Sequence, residues 1–368
     1  MTADRLPAPD SLSDHLSEIR FEDIAGWVDD DHRAALAAFR RGTRVSLPPK
    51  TRGLGIDGAG LAAALAGAEA LGDSPSADDA RRFFETRFRP FRIGAQGFVT
   101  GYYEPEVEAS PVRTARFTVP LHARPPELLE VGDAVRPDGW DPEVRFAARH
   151  GGRLLPFADR RAIAHGFLDG RGLELAWLAD PVDAFFVHVQ GSARLRMTDG
   201  SVRRVGFAGK SGHPYTSIGR LAVERGHLAR ENADKAGLET WLKANPLSGR
   251  ELMHENRSYI FFREFDGLGP DDGPLGAAGV QLTPHRSLAV DRTLMTFHAP
   301  VWVDAPELGL HRLMLAQDTG SAIVGPARGD IFFGSGDEAG RQAGTVRHAA
   351  TMVALVPRAD ASDGGSAP

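Results

Sequence analysis

The chain has no cysteine among its 368 residues. That excludes disulfides, thiolate nucleophiles, iron–sulfur clusters and cysteine-ligated zinc together. It leaves the compartment open, because a protein without thiols suits oxidising and reducing spaces alike. Positive charge is also in short supply. The formal net charge is −6, which disfavours nucleic acid as a partner, since binding a polyanion by counterion release requires a basic surface. No apolar run reaches the roughly 18–20 residues that cross a bilayer, so no transmembrane segment is expected. The opening MTADRLPAPDSLSDHL shows no basic region followed by an apolar stretch, and no signal peptide is visible in it. Without cysteine, the chain as it stands carries no lipoprotein anchor. The thirteen histidines include no HExxH or similarly tight pair, so neither a metal nor another cofactor is expected. His122, His188, His213 and His298 read as hydrogen-bonded structural residues or surface ones.

What is present is an ordinary globular composition, 42% hydrophobic and 25% charged, long enough for one large or two medium domains. Residues 1–20 are polar and proline-dotted and read as a loose tail. The run from Phe21 to Arg41 predicts a helix capped within Asp29 to Asp31, and two more helices are predicted over Gly60 to Leu71 and Ser76 to Arg87. Strand-like text begins near Ile93 and includes GFVTGYYEPEVEAS. Short β-like runs follow up to Leu247, among them FTVPLH, ELAWL, AFFVHVQG, ARLRMTDG and VRRVGFAG. Helical signals interrupt them at Arg160 to His165, Thr216 to Arg225 and Glu231 to Ala244. The text from Tyr259 to Pro357 is β-rich again, and RADASDGGSAP closes the chain as a second tail. The early and late strand regions are open to forming one barrel with the middle inserted, but periodicity alone does not show it. No repeat of solenoid or propeller period is found.

Two motif matches lack their context. Gly53-Leu54-Gly55-Ile56-Asp57-Gly58 satisfies GxGxxG, but SLPPKTR precedes it where a dinucleotide fold needs a buried strand, so a linker is the better reading. Asp318-Thr319-Gly320-Ser321 reads as the DTGS of an aspartic protease. That chemistry needs two aspartates sharing a proton, and the chain holds no second copy.

The informative segment is LMLAQDTGSAIVGPARGDIFFGSGDEAGRQAG, from Leu313 to Gly344, where Asp318, Asp330 and Asp337 sit among seven glycines. Asp330 directly precedes Ile331-Phe332-Phe333, at what reads as a loop-to-strand edge. Apolar neighbours there would raise its pKa above the ordinary aspartate range, as a general acid requires. Aspartates also cap turns in glycine-rich loops. From spacing alone both readings stand, turn capping being the more ordinary.

The segment resembles the three-aspartate domain of the MltA family of lytic murein transglycosylases. The resemblance extends through TGYYEP (Thr100 to Pro105), PLHARP (Pro120 to Pro125) and GLELAWLADPVDAFFVHVQGSARLRMTDG (Gly172 to Gly200). It continues through GKSGHPYTSIGR (Gly209 to Arg220), GPLGAAGVQLTPHRSLAVD (Gly273 to Asp291) and APVWVD (Ala299 to Asp304), so it covers nearly the whole chain. Two places depart from the family: FRRGTRVS stands near the first helix, where cysteines are common, and Asn256-Arg257-Ser258-Tyr259 replaces Asn-Pro-Ser-Tyr.

The resemblance implies a mainly β fold with a helical segment at the N-terminus. A double-psi β-barrel would be assembled from residues 21–110 and 251–357, the latter being the three-aspartate part. A second β-rich domain, residues 111–250, would be inserted between them, with tails at 1–20 and 358–368 and a glycan groove between the domains. It implies a carbon–oxygen lyase that cleaves the β-1,4 bond between N-acetylmuramic acid and N-acetylglucosamine in peptidoglycan without water, leaving 1,6-anhydromuramic ends. Asp330 would serve as acid and then base, with Asp318 tuning it. Thr100, Tyr102, Tyr103, Glu104, Gln190, Lys210, Tyr215 and Asp337 form the expected substrate-binding set. Tyr102 and Tyr103 would face opposite ways if they lie in a strand. The expected partners are peptidoglycan strands, with other cell-wall proteins as further candidates. The expected place is the periplasm, with outer-membrane association. The competing functions are a non-catalytic glycan-binding module and, behind it, an aspartic protease using Asp318.

Overall fold

The computed structural model describes residues 12–45, 58–132, 135–140, 144–269 and 272–358. Most of both predicted tails, and residues 53–57 of the GxGxxG match, lie outside the described residues. The chain divides into two compact units. The first takes in the chain up to Tyr102, Leu275–Gly334 and the part from Val346 onward; the second takes in Tyr103–Pro274 and Ser335–Thr345.

The first unit opens with strand β1 (Leu16–Glu18), helices α1 (His32–Arg40), α2 (Gly58–Ala70) and α3 (Ala77–Arg87), and strands β2 (Phe88–Ile93) and β3 (Gly97–Glu104). The second unit follows with β4 (Glu106–Ser110), β5 (Val119–His122), β6 (Leu128–Glu130), β7 (Phe146–His150), β8 (Arg153–Leu155), α4 (Arg160–Ala164), β9 (Glu174–Leu178), α5 (Pro181–Gln190), β10 (Ser192–Met197) and β11 (Val202–Lys210). It continues through α6 (Ile218–Glu224), α7 (Lys235–Ala244), α8 (Pro246–Glu255) and β12 (Ile260–Phe265). The chain then runs through β13 (Ser287–Val290), β14 (Pro300–Ala305), β15 (Leu310–Asp318), β16 (Arg328–Ser335), α9 (Gly336–Gly344) and β17 (Arg347–Pro357). The fold is mainly β, and its N-terminal helical part is small.

In the first unit the strands pair in the order β1-β2-β17-β14-β15-β13-β16-β3, and β17 also pairs with β3. The pairings from β17 through β14, β15, β13, β16 and β3 therefore return on themselves. The contact of β13 with β15 is parallel, whereas its contact with β16 is antiparallel. All four residues of β13 are buried, as expected for a strand covered on both faces, where the sequence runs apolar instead of alternating. Leu313 to Ala316 of β15 are fully buried too, in one core with Leu36, Phe39, Leu65, Phe84 and Trp302.

The small helices are well specified locally. Asp31 caps α1 by accepting from the Arg33 and Ala34 N–H groups, and Ser76 and Asp79 form a reciprocal capping box at α3. A buried ion pair ties the N-terminal segment to β15. Arg286 Nη1 and Nη2 reach the two oxygens of Asp30 at 2.8 and 2.9 Å, and Asp30 Oδ2 also accepts from the Leu313 N–H at 2.9 Å. Removing one member of such a pair costs about 3–5 kcal/mol, because the other is left buried and uncompensated.

In the second unit six strands order as β12-β11-β10-β4-β9-β5, and β6, β7 and β8 make a separate small sheet. One β-like run proves helical. AFFVHVQ belongs to α5, which is capped by Asp180 accepting from the Val182 N–H, begun by Pro181, and stopped by Gly191 in the left-handed region (φ 77°). The start and stop signals outweigh the strand propensity of its aromatic and branched residues. The glycine-rich stretch after β16 is likewise not a turn but α9, with Asp337 and Glu338 in its first turn, where negative charge meets the positive end of the helix dipole. The four histidines read as structural are all buried. His122 contacts the Tyr259 hydroxyl at 2.7 Å, His188 accepts from Arg160 at 2.9 Å, and His213 donates to the Phe157 carbonyl at 2.7 Å.

Candidate active site

The register of β13 places two aspartates on either side of one residue. Ala289 pairs with Asp318 across the parallel contact and with Asp330 across the antiparallel one, with a register shift between Leu288 and Ala289. Asp330 lies within β16, two residues past its start, and not at a loop edge. Directly paired residues share a face of the sheet. Strands spaced about 4.8 Å apart put the two backbones on the order of 10 Å from each other.

Strand β3 then supplies one hydroxyl to each carboxylate. Thr100 and Tyr102 are two residues apart and so face the same way. Thr100 Oγ1 donates to Asp330 Oδ1 at 2.5 Å, and the Tyr102 hydroxyl donates to Asp318 Oδ2 at 2.9 Å. The Ala277 N–H donates to Asp318 Oδ1 at 3.0 Å. Arg328 Nη2 donates to Thr100 Oγ1 at 2.7 Å. All of these residues belong to the first unit.

The two carboxyls have different surroundings. Burial pushes Asp330 up to about 6, against the pull of the Thr100 hydrogen bond and the Arg328 charge, while the neighbouring Asp318 pushes it further up. Asp318 is also raised by burial, but the Ala277 and Thr319 N–H groups and the Tyr102 hydroxyl oppose the shift. Tyr102 is held far above the ordinary phenol range by burial and by both aspartates, so it stays a hydrogen-bond donor. Both oxygens of Asp318 are engaged. Among the described residues no donor reaches Asp330 Oδ2, and Asp330 is only partly buried. The two carboxyls thus differ in their hydrogen-bond partners. A carboxyl raised to about 6, as that of Asp330 is, can hold a proton near neutral pH. Among the described residues no hydrogen bond joins Asp318 to Asp330.

Of the expected substrate-binding residues, Thr100 and Tyr102 join the two aspartates; the other six belong to the second unit. The alternation along β3 turns Tyr103 away. Its ring is buried beneath Lys235 Nζ, 5.4 Å from the ring centroid, and its N–H donates to Gln190 Oε1 at 3.1 Å. Glu104 is fully buried, accepting from Arg194 at 3.1 Å and from Ser335 at 2.6 Å. Lys210 ends β11 opposite Ile260, Tyr215 is 39% exposed, and Asp337 opens α9. Among the described residues, no group of three His, Asp or Glu side chains is arranged to hold a metal ion, and no helix is long and apolar enough to cross a membrane.

Two participants escaped the sequence reading. Arg328 stands two residues before Asp330, and the period of a strand would have put both on one face. Ala277 acts through its backbone N–H, which no side-chain motif announces.

Comparison with known proteins adds an independent line. Residues 98–263 match the family model of the MltA specific insert domain, and residues 286–356 match that of the 3D domain. A membrane-bound lytic murein transglycosylase A of Vibrio cholerae is 35% identical over 200 residues, 51% of this chain and 53% of that relative. The match thus spans about half the length of that curated relative. Among solved structures, a membrane-bound lytic murein transglycosylase of Agrobacterium tumefaciens is 46% identical with a TM-score of 0.85, covering 93% of this chain and 98% of that one. MltA from Neisseria gonorrhoeae is 33% identical with a TM-score of 0.75, covering 94% and 93%.

Proposed function

The chain belongs to the MltA family, and from that membership together with the surroundings of Asp330 we propose that it is a lytic transglycosylase of peptidoglycan. The observation that carries the proposal is the carboxyl of Asp330, raised to about 6, with one oxygen held by Thr100 and no donor on the other among the described residues. We read the closed circuit of six strands as a double-psi β-barrel, with β13 at its centre.

The substrate is the β-1,4 bond between N-acetylmuramic acid and N-acetylglucosamine. Asp330 gives its proton to the glycosidic oxygen as the bond to muramic C1 breaks, and positive charge develops at C1. The resulting carboxylate takes the proton of the muramic C6 hydroxyl. That oxygen bonds to C1, closing a 1,6-anhydro ring and returning Asp330 to its acid form. No water is consumed. A hydrolase would need a second carboxyl placed to activate water; here Asp318 is committed to Tyr102 and Ala277, and its charge serves to keep the proton on Asp330.

Tyr215, being exposed, is the best placed of the remaining candidates for a sugar contact. Gln190 has its carbonyl engaged by Tyr103 and, among the described residues, no partner on its amide. Lys210 and Asp337 are retained as substrate-binding candidates, whereas Tyr103 and Glu104 support the second unit from within. Acting on peptidoglycan places the working enzyme on the periplasmic side. The chemical form of the newly made glycan end tests the proposal: anhydro ends support it, and reducing ends contradict it.

A further inference from the structure

We propose that Arg328 is the positioning residue of the catalytic acid: through Thr100 it decides which oxygen of Asp330 carries the proton. The inference deepens the general-acid reading of Asp330 and rests on it.

The direction of the relay follows from what each group can do. A guanidinium has donors only, and a threonine hydroxyl has one donor and two acceptor sites. The contact of Arg328 Nη2 with Thr100 Oγ1, 2.7 Å, therefore uses an acceptor site of the hydroxyl. The hydroxyl proton must point elsewhere, and Asp330 Oδ1 lies 2.5 Å away. An oxygen that accepts this hydrogen bond is the poorer place for the carboxyl proton, so the proton resides on Oδ2, which no donor reaches among the described residues.

Arg328 is itself held from several sides. Nη1 donates to the Gly329 carbonyl and, at 3.5 Å, to the Phe98 carbonyl. The guanidinium carbon lies 5.5 Å from the centroid of the Phe98 ring. Its charge favours the ionised form of Asp330, and burial makes the guanidinium proton less tightly held than usual. The same residue thus orients the acid before proton transfer and supports the carboxylate after it.

The test is a carbon-13 NMR titration of the Asp330 carboxyl in substrate-free protein, assigned by the signal lost in Asp330→Asn. Arg328→Met and Arg328→Gln should raise the Asp330 midpoint by about one pH unit, and Arg328→Lys, which keeps the charge, should restore most of it. Turnover of Arg328→Met should fall about tenfold in kcat with little change in KM. In a Thr100→Val background the Arg328→Met change should cost clearly less in kcat than it does in the wild type, because the relay is already cut and only the charge of Arg328 on Asp330 is left to lose. A wild-type midpoint near 6 that does not move in folded Arg328→Met or Arg328→Gln overturns the proposal, as do losses that multiply in the double variant. A wild-type midpoint in the ordinary aspartate range defeats the general-acid reading instead, so the two failures are told apart.

Discussion

Asp318 and Asp330 flank the same residue, Ala289, one across a parallel strand contact and the other across an antiparallel one. The arrangement brings two carboxyls onto one face while giving them different neighbours. Asp318 takes a backbone N–H and a phenol, and Asp330 takes a threonine hydroxyl. Their inequality, more than their proximity, is what a single-acid mechanism needs.

Asp318→Asn should lower the pKa of Asp330, because it removes a negative neighbour that disfavours ionisation. The alkaline limb of kcat/KM should shift to lower pH by about half a unit. A limb that stays in place or moves up would show that Asp318 does not tune the acid.

Asp330 should weaken the fold at neutral pH. Its folded pKa, about 6, lies above the ordinary aspartate value of about 3.9, so the folded state holds the proton more tightly than the unfolded one. The associated stability is full below about pH 4 and is lost as pH rises through about 6. Asp330→Asn removes that dependence and should be more stable than wild type at pH 7, by about 1–2 kcal/mol after allowing for partial exposure, with the gap closing at pH 4. Urea unfolding of both proteins at the two pH values measures it.

Tyr102→Phe should leave Asp318 Oδ2 without its hydroxyl donor and raise the Asp318 pKa further. Loss of one partner of a buried carboxyl costs about 1–3 kcal/mol, readable as a lower urea midpoint. An unchanged midpoint would mean that the hydroxyl contributes nothing to holding Asp318.

Gly340→Ala tests the packing of α9. A Cβ at Gly340 would stand 2.8 Å from the Tyr103 ring, so the ring or the helix must shift, at about 1–3 kcal/mol. Tyr103→Leu in the same chain should recover part of that loss in thermal melts; simple addition of the two losses would contradict the contact.

Much of this could be read from residues alone, and the misses have physical causes. A cap within Asp29 to Asp31 was legible because capping is local chemistry, but the helix it begins is shorter than the expected Phe21 to Arg41, since Asp31 caps it only from His32. AFFVHVQ misled because strand propensity and helix signals coincide there, and Asp180, Pro181 and Gly191 decide the outcome. α9 was hidden by its glycines, which argue for turns until the buried face of Ala339 and Ala343 has something to pack on. Asp330 was found through its resemblance to a family motif, its neighbours suggesting only that it could be a raised acid. Arg328 and Ala277 were not found, since their roles depend on β3 lying beside β16 and on a loop passing Asp318, both set by long-range pairing.

The most direct measurement is mass spectrometry of the soluble products released from purified murein sacculi by the wild-type protein and by Asp330→Asn. The account predicts muropeptides ending in 1,6-anhydromuramic acid from the wild type and a loss of at least about a thousandfold in the variant, whose fold is retained. Reducing-end products, or anhydro products made equally well by Asp330→Asn, would contradict it.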